Sequence, residues 1–248
     1  MRILHLQTVD STNTYALRHF SEVADAVLVS AHEQPSGRGR QGRKWIAPPG
    51  RNLTASLAMS RISVGFHAGA VVGLAALDTV REAVPGASPY LKWPNDLYAG
   101  DAKLAGILCE GMLARGKLAG VVAGIGLNVN FSAAEAALID RRATSLKILA
   151  EGRDFSVAAL AERLAFFLER WYINYGRGRD PVLAAWRKEN RLIGRVIEVV
   201  DPAGNVLSGR LSAIDGDGSM VLATPGGERV FRCGDVRIAN GFDPNATE

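Results

Sequence analysis

Nine residues, Gly37-Arg38-Gly39-Arg40-Gln41-Gly42-Arg43-Lys44-Trp45, hold three glycines, four cations and an indole. No regular element can be built from them. A helix here would lose roughly 1 kcal/mol per glycine relative to alanine, and the arginines leave no apolar stripe to bury. The segment is therefore expected to be a loop. Residues 26–31 and 52–59 read as strands on either side of it, so the loop is expected to hang from sheet edges. Glycine lets main-chain N–H groups approach an anion, arginine forks match phosphate or carboxylate oxygens, and Trp45 offers a flat surface for a ring. A solvated basic loop is the competing reading at this point.

The 248 residues are enough for one large domain, or a large and a small one. With 48% hydrophobic and 22% charged residues, global disorder is excluded. A net charge of +4 suits anionic ligands but falls short of the dense cationic stripe of a dedicated nucleic-acid binder. Cys109 and Cys233 stand far apart with no CxxC or Cys/His cluster, so neither a disulfide framework nor a zinc site is expected, and a reducing cytoplasm fits. The N-terminus lacks a signal-peptide core, and no apolar run reaches the ~20 residues of a membrane span.

Residues 2–7 read as a strand, and Asp10-Ser11-Thr12-Asn13 offers capping side chains to a helix running to about Phe20. Apolar spacing predicts a buried helix over 66–84, ended by Pro85-Gly86. Residues 90–130 read as strands joined by turns at 98–101 and 114–117, which implies an antiparallel sheet. Helical periodicity returns over 156–175 and 180–191. After Leu192, short β-rich pieces alternate with Asp/Gly/Pro turns, predicting a small barrel of about five strands over 192–240. The chain thus divides into residues 1–191, residues 192–240 and a polar tail, 241–248.

Two further constellations accompany the loop. Lys92-Trp93-Pro94-Asn95-Asp96 makes a corner before Lys103-Leu104-Ala105-Gly106-Ile107-Leu108. Asn95 and Asp96 there serve either as turn formers or as groups that orient a ligand or hold magnesium with its waters. In Gly124-Ile125-Gly126-Leu127-Asn128-Val129-Asn130, strand alternation places Gly124, Gly126, Asn128 and Asn130 on one small polar face. Glycine at such positions signals a bulge or the close approach of a ligand or backbone. No phosphate-binding GxxxxGK[ST], helix-opening GxGxxG, HExxH or GxSxG is present, which excludes P-loop, Rossmann, zinc-protease and nucleophile-elbow chemistry. Arg38, Arg40, Arg43 and Lys103 leave electrostatic catalysis that brings two anions together, as in activation of a carboxylate by a nucleotide.

In order along the chain, Ser11-Thr12-Asn13, the arginine-glycine loop, the Lys92–Asp96 corner, the Lys103–Leu108 strand and Gly124–Asn128 closely resemble the motifs of the biotin protein ligase family. The resemblance spans nearly the whole chain. It implies an α+β fold: a catalytic domain like that of class II aminoacyl-tRNA synthetases, with a mixed, mostly antiparallel sheet and flanking helices, plus a C-terminal SH3-like barrel. It implies that biotin and ATP, with Mg2+, give biotinyl-5′-AMP and pyrophosphate. A lysine of a biotin carboxyl carrier protein domain of a biotin-dependent carboxylase then takes the biotin. By matching position, Ser11, Thr12, Asn13, Gln34, Gly37, Arg38, Gly39, Arg40 and Lys103 would bind biotin. Arg38, Arg40, Arg43, Trp45, Asn95, Asp96 and Asn128 would bind ATP or the adenylate, with magnesium near Asp96, and Arg40 and Lys103 would be catalytic. Residues 131–142 are alanine-rich, which puts in doubt their part in closing the nucleotide pocket. Only ten residues precede Ser11, so a helix-turn-helix domain and DNA binding through it are not expected. A monomer or homodimer is expected. The rivals are a lipoate or octanoate ligase or transferase of the same broad fold, and a noncatalytic biotin sensor.

Overall fold

Alternating apolar residues build a seven-stranded sheet whose strands are interleaved with helices. The computed structural model describes residues 1–45, 47–139 and 142–238; the tail expected over 241–248 lies outside the described residues. In chain order the elements are β1 (Arg2–Thr8), α1 (Thr12–Arg18), α2 (Phe20–Val23), β2 (Val27–Glu33), β3 (Asn52–Met59), α3 (Gly65–Ala83), β4 (Pro89–Lys92), β5 (Asp96–Ala99), β6 (Ala102–Ala114) and β7 (Lys117–Asn128). There follow α4 (Ala133–Ala136), α5 (Leu146–Leu149), α6 (Val157–Arg177), α7 (Arg179–Glu189), β8 (Val196–Val200), β9 (Val206–Ile214), β10 (Met220–Thr224), β11 (Gly227–Phe231) and β12 (Asp235–Ile238).

The first sheet runs β1-β2-β3-β7-β6-β5-β4. Only β1 and β2 pair in parallel; every other neighbour is antiparallel. All eight residues of β3 are buried, because α6 covers it on one face of the sheet and α1 on the other, while α3 lies across β4–β7 on the α6 side. Small residues on α3, including Ala68, Ala75 and Ala76, let that helix sit close to the strands, and α6 packs beside it against β1 and β3. Each fully buried Leu or Val in this core contributes about 1.5–3 kcal/mol. Two expectations need correction. The arginine-glycine loop does not hang from sheet edges, since β2 and β3 are the second and third of seven strands. Asn130 does not share the glycine face, because β7 ends at Asn128 and the Asn130 amide instead pairs with both backbone groups of Phe155 at 2.8 and 2.9 Å.

The second sheet is antiparallel, in the order β11-β10-β9-β8-β12. The end of β9 and the turn after it dock on α7, α3 and the Trp93 corner through three main-chain carbonyls. Arg187 Nε of α7 donates to Ile214 O at 2.7 Å, His67 Nε2 of α3 to Gly216 O at 2.7 Å, and the buried Trp93 indole to Gly218 O at 2.9 Å. The Trp93–Pro94 corner is thereby tied to the C-terminal sheet.

Candidate active site

The floor of the site is a patch of sheet almost without side chains. Register aligns Thr54 of β3 with Gly126 of β7 and Gly106 of β6, and the next row aligns Ser56 with Gly124 and Leu108. A Cβ at Gly126 would lie 2.5 Å from Trp45 Cζ2, one at Gly124 2.9 Å from Asn13 Cγ, and one at Gly106 3.0 Å from Lys103 Nζ. The glycine face therefore leaves room for the Trp45 indole, the Asn13 carboxamide and the Lys103 ammonium. Of the two roles open to strand glycines, close approach is the one realised here.

The α1 end of the site is organised by short polar contacts. Thr12 N–H donates to Gln34 Oε1 at 2.6 Å, and the Ser56 hydroxyl lies 2.7 Å from Thr12 Oγ1 and 2.6 Å from Asn13 Oδ1. A hydroxyl has one hydrogen and an amide oxygen only accepts, so Ser56 donates to Asn13 and accepts from Thr12. Ser11 precedes the helix and is buried, yet its hydroxyl makes no capping bond.

The loop closes on itself. Trp45 N–H donates to Gly37 O at 2.9 Å and Gly39 N–H to Arg43 O at 2.7 Å, around a tight turn at Arg40–Gly42 where Gln41 and Gly42 take φ values of 56° and 71°. Gly37 is needed for this closure, because a Cβ there would stand 2.6 Å from Trp45 O. Its cations diverge. Arg40 donates to Asn95 Oδ1 at 3.0 Å, Arg38 reaches Thr14 Oγ1 at 3.0 Å, and Arg43 turns to Asp235 of β12 at 2.6 Å. Lys103 pairs with Asp96 at 2.6 Å and lies 5.9 Å from the Trp45 ring centroid. Because Asn95 and Asp96 are consecutive, their partners Arg40 and Lys103 are held by one corner, beside the glycine floor.

Not every expected site residue faces this space. Arg43 points to the C-terminal sheet. Asn128 is buried and donates to Lys103 O at 3.3 Å and Thr144 O at 3.0 Å, which clamps residues 143–144 alongside the start of β6. Among the described residues no three His, Cys, Asp or Glu side chains are grouped to hold a metal, and Asp96 is already paired with Lys103. Trp45 Nε1 is enclosed and has no partner among the described residues. The Cys109 thiol packs near Gly65 and Gly69 of α3, and burial pushes it up to about 12, so it is an inert core group. Strand register puts Thr54, Ser56 and Glu110 on the glycine face's side; period-two counting along β6 from Gly106 reaches Glu110, whereas Thr54 and Ser56 lie on β3 and are placed there only by the register between strands.

The biotin/lipoate A/B protein ligase family matches residues 6–128 of the chain. A biotin--[acetyl-CoA-carboxylase] ligase of Mycobacterium tuberculosis is 37% identical over 240 residues, covering 91% of this chain and 85% of its own length. One from Paracoccus denitrificans is 32% identical, covering 93% of this chain and 98% of its own. The bifunctional ligase/repressor BirA of Salmonella typhimurium is 31% identical, with 94% and 73% covered. In fold, the chain matches a biotin protein ligase from Aquifex aeolicus, solved with biotin and ATP, at a TM-score of 0.78 and 22% identity over 95% of this chain and 97% of that one. A glycine-floored site that gathers Arg40 and Lys103 at one corner, on this fold and with these relatives, places the chain in the biotin protein ligase family.

Proposed function

We propose that the chain is an ATP-dependent biotin–protein ligase that makes biotinyl-5′-AMP and passes biotin to a lysine of a biotin carboxyl carrier protein domain. What supports this above all is the pairing of Arg40 and Lys103 with the consecutive residues Asn95 and Asp96 beside the glycine floor. Two cations at one corner offset the repulsion between a carboxylate and a triphosphate. In the first step a biotin carboxylate oxygen bonds to the α-phosphorus and the bond to pyrophosphate breaks. In the second, the carrier amine attacks the acyl carbon, AMP leaves and the amine loses a proton.

Ser11 Oγ and Gln34 Nε2 are the groups to meet the polar ureido end of biotin, with Thr12 and Asn13 shaping the wall behind them. The buried Trp45 indole N–H, with no partner among the described residues, is the natural donor to a ligand acceptor. Arg43 braces the loop from behind. Magnesium belongs with the triphosphate rather than in a protein cage, since Asp96 and Asn95 Oδ1 already hold Lys103 and Arg40. We assign residues 192–238 to an SH3-like barrel module, and the free thiols Cys109 and Cys233 fit a cytoplasmic setting.

Biotin-dependent exchange of pyrophosphate into ATP, absent with lipoate, is the expected result with purified protein. Biotin binding without exchange would leave only the sensor reading, and exchange driven by lipoate would favour the lipoate ligase. Arg40→Ala is expected to lower exchange roughly a hundredfold, as loss of one charge-stabilising donor does. Exchange at the original rate would remove Arg40 from the chemistry.

A further inference from the structure

Glu110 stands on β6 two and four residues beyond Leu108 and Gly106, so all three share one side of the strand. Its carboxylate is three-quarters buried, with 26% of the side chain exposed. A carboxylate in such a place is costly unless it is paired and hydrogen-bonded. Both conditions are met, and by groups from two different elements. Asn13 Nδ2 of α1 donates to Glu110 Oε2 at 2.7 Å, and Arg38 of the arginine-glycine loop lies 3.2 Å from Glu110 Oε1. The second Asn13 amide hydrogen goes to Leu108 O at 3.1 Å, and Asn13 Oδ1 accepts from Ser56. Both amide hydrogens and one oxygen lone pair of Asn13 are thus engaged, with the carboxamide lying against Gly124. Arg38 is still half-exposed and, among the described residues, its side chain is otherwise held only by Thr14 of α1.

We propose that Glu110 is a positioning residue that latches the arginine-glycine loop to α1 and, through Asn13, fixes the wall of the biotin pocket. The proposal rests on the ligase reading. In this arrangement one carboxylate does two separable things. Its charge holds Arg38, and with it the start of the arginine-glycine loop that carries Arg40 and Trp45 to the glycine floor. Its lone pair orients Asn13, which no ligand is required to do. Removing the charge while keeping an acceptor should loosen the loop; removing both should also loosen the wall.

The test uses the full chain, with release of biotinyl-5′-AMP measured after rapid dilution and the KM for biotin taken from pyrophosphate exchange. Glu110→Gln keeps an amide oxygen for Asn13 but loses the charge that pairs with Arg38, and is expected to speed adenylate release roughly three- to fivefold. Glu110→Ala should add a rise of roughly tenfold in KM for biotin, with a smaller change in kcat. Glu110→Asp should recover part of both. In an Arg38→Ala background, Glu110→Gln should speed release no further, because the two groups act as one latch. Release at the original rate in Glu110→Gln, or effects of Glu110→Gln and Arg38→Ala that simply add, would overturn the proposal. If Glu110→Ala does not fold, the glutamine variant and its coupling to Arg38 decide. Absence of any adenylate from the unsubstituted protein would instead strike the ligase reading.

Discussion

Gly126 carries more of the site than its lack of a side chain suggests. Its bare Cα lets the Trp45 indole lie against the sheet, and an added methyl would overlap the ring. Gly126→Ala is expected to keep the strand, since alanine weakens a strand no more than glycine does, while evicting the indole. Exchange activity should fall more than tenfold, about 1.4 kcal/mol or more, with an unaltered single thermal transition; full activity would show that the indole need not rest there. The alternation of glycines in residues 124–130 was legible in the sequence, as was the small polar face it makes. What fills that face was not, because Asn13 is 111 positions before Gly124 in the chain and Trp45 is 81 before Gly126, and neither distance leaves a local pattern. The contacts of Asn128 were hidden for a related reason. Its motif context pointed to a ligand, whereas its two hydrogen bonds serve the backbone at Lys103 and Thr144.

Helix α6 is tied to the turn before β2 by one phenol. Tyr172 Oη donates to Asp25 Oδ1 at 2.5 Å, Ser60 supplies both its N–H and its hydroxyl to the same carboxylate, and Arg61 N–H reaches Tyr172 Oη at 3.3 Å. Burial raises the pKa of Asp25, but the hydrogen bonds from Ser60 and Tyr172 outweigh it and hold the carboxyl below its ordinary value. A depressed carboxylate stabilises the fold above its unfolded value of about 3.9, and that contribution is lost as pH falls through the lower folded value. Tyr172→Phe is therefore expected to cost about 1–3 kcal/mol at neutral pH and to flatten the loss of stability below about pH 4. Melting temperatures of both proteins between neutral and acid pH check this, and parallel curves would mean that Tyr172 does not act through Asp25. Helical periodicity made α3, α6 and α7 readable within a residue or two, and the turns at 98–101 and 114–117 fall where glycine and positive φ allow them. The parallel pairing of β1 with β2 was not readable, because register between separated strands depends on packing that composition does not encode.

At the scale of the molecule, the C-terminal sheet touches the candidate site twice, through the Trp93 corner that carries Asn95 and Asp96 and through Asp235, which grips Arg43 of the loop. Trp93→Phe keeps the buried ring but leaves Gly218 O without its donor. A loss of about 1–3 kcal/mol is expected, together with faster proteolysis after α7. Digestion at the original rate would show that the other two bonds hold the joint alone. Asp235→Asn removes the charge from the Arg43 pair and should raise the KM for ATP severalfold in the exchange assay, by leaving the loop less ordered; an unchanged KM would confine that ion pair to stability. None of these long links was visible in the sequence, since their partners are 125, 149 and 192 residues apart. The joint has one more property. All three of its acceptors, at the end of β9 and in the turn after it, are peptide carbonyls, and a carbonyl is the same whatever side chain follows it. The turn can therefore drift in sequence, wherever its glycine at 218 still clears Phe66, without altering what Arg187, His67 and Trp93 recognise. An interface written this way is held by the path of the chain, so comparing residues between relatives would underestimate how firmly the two sheets are joined.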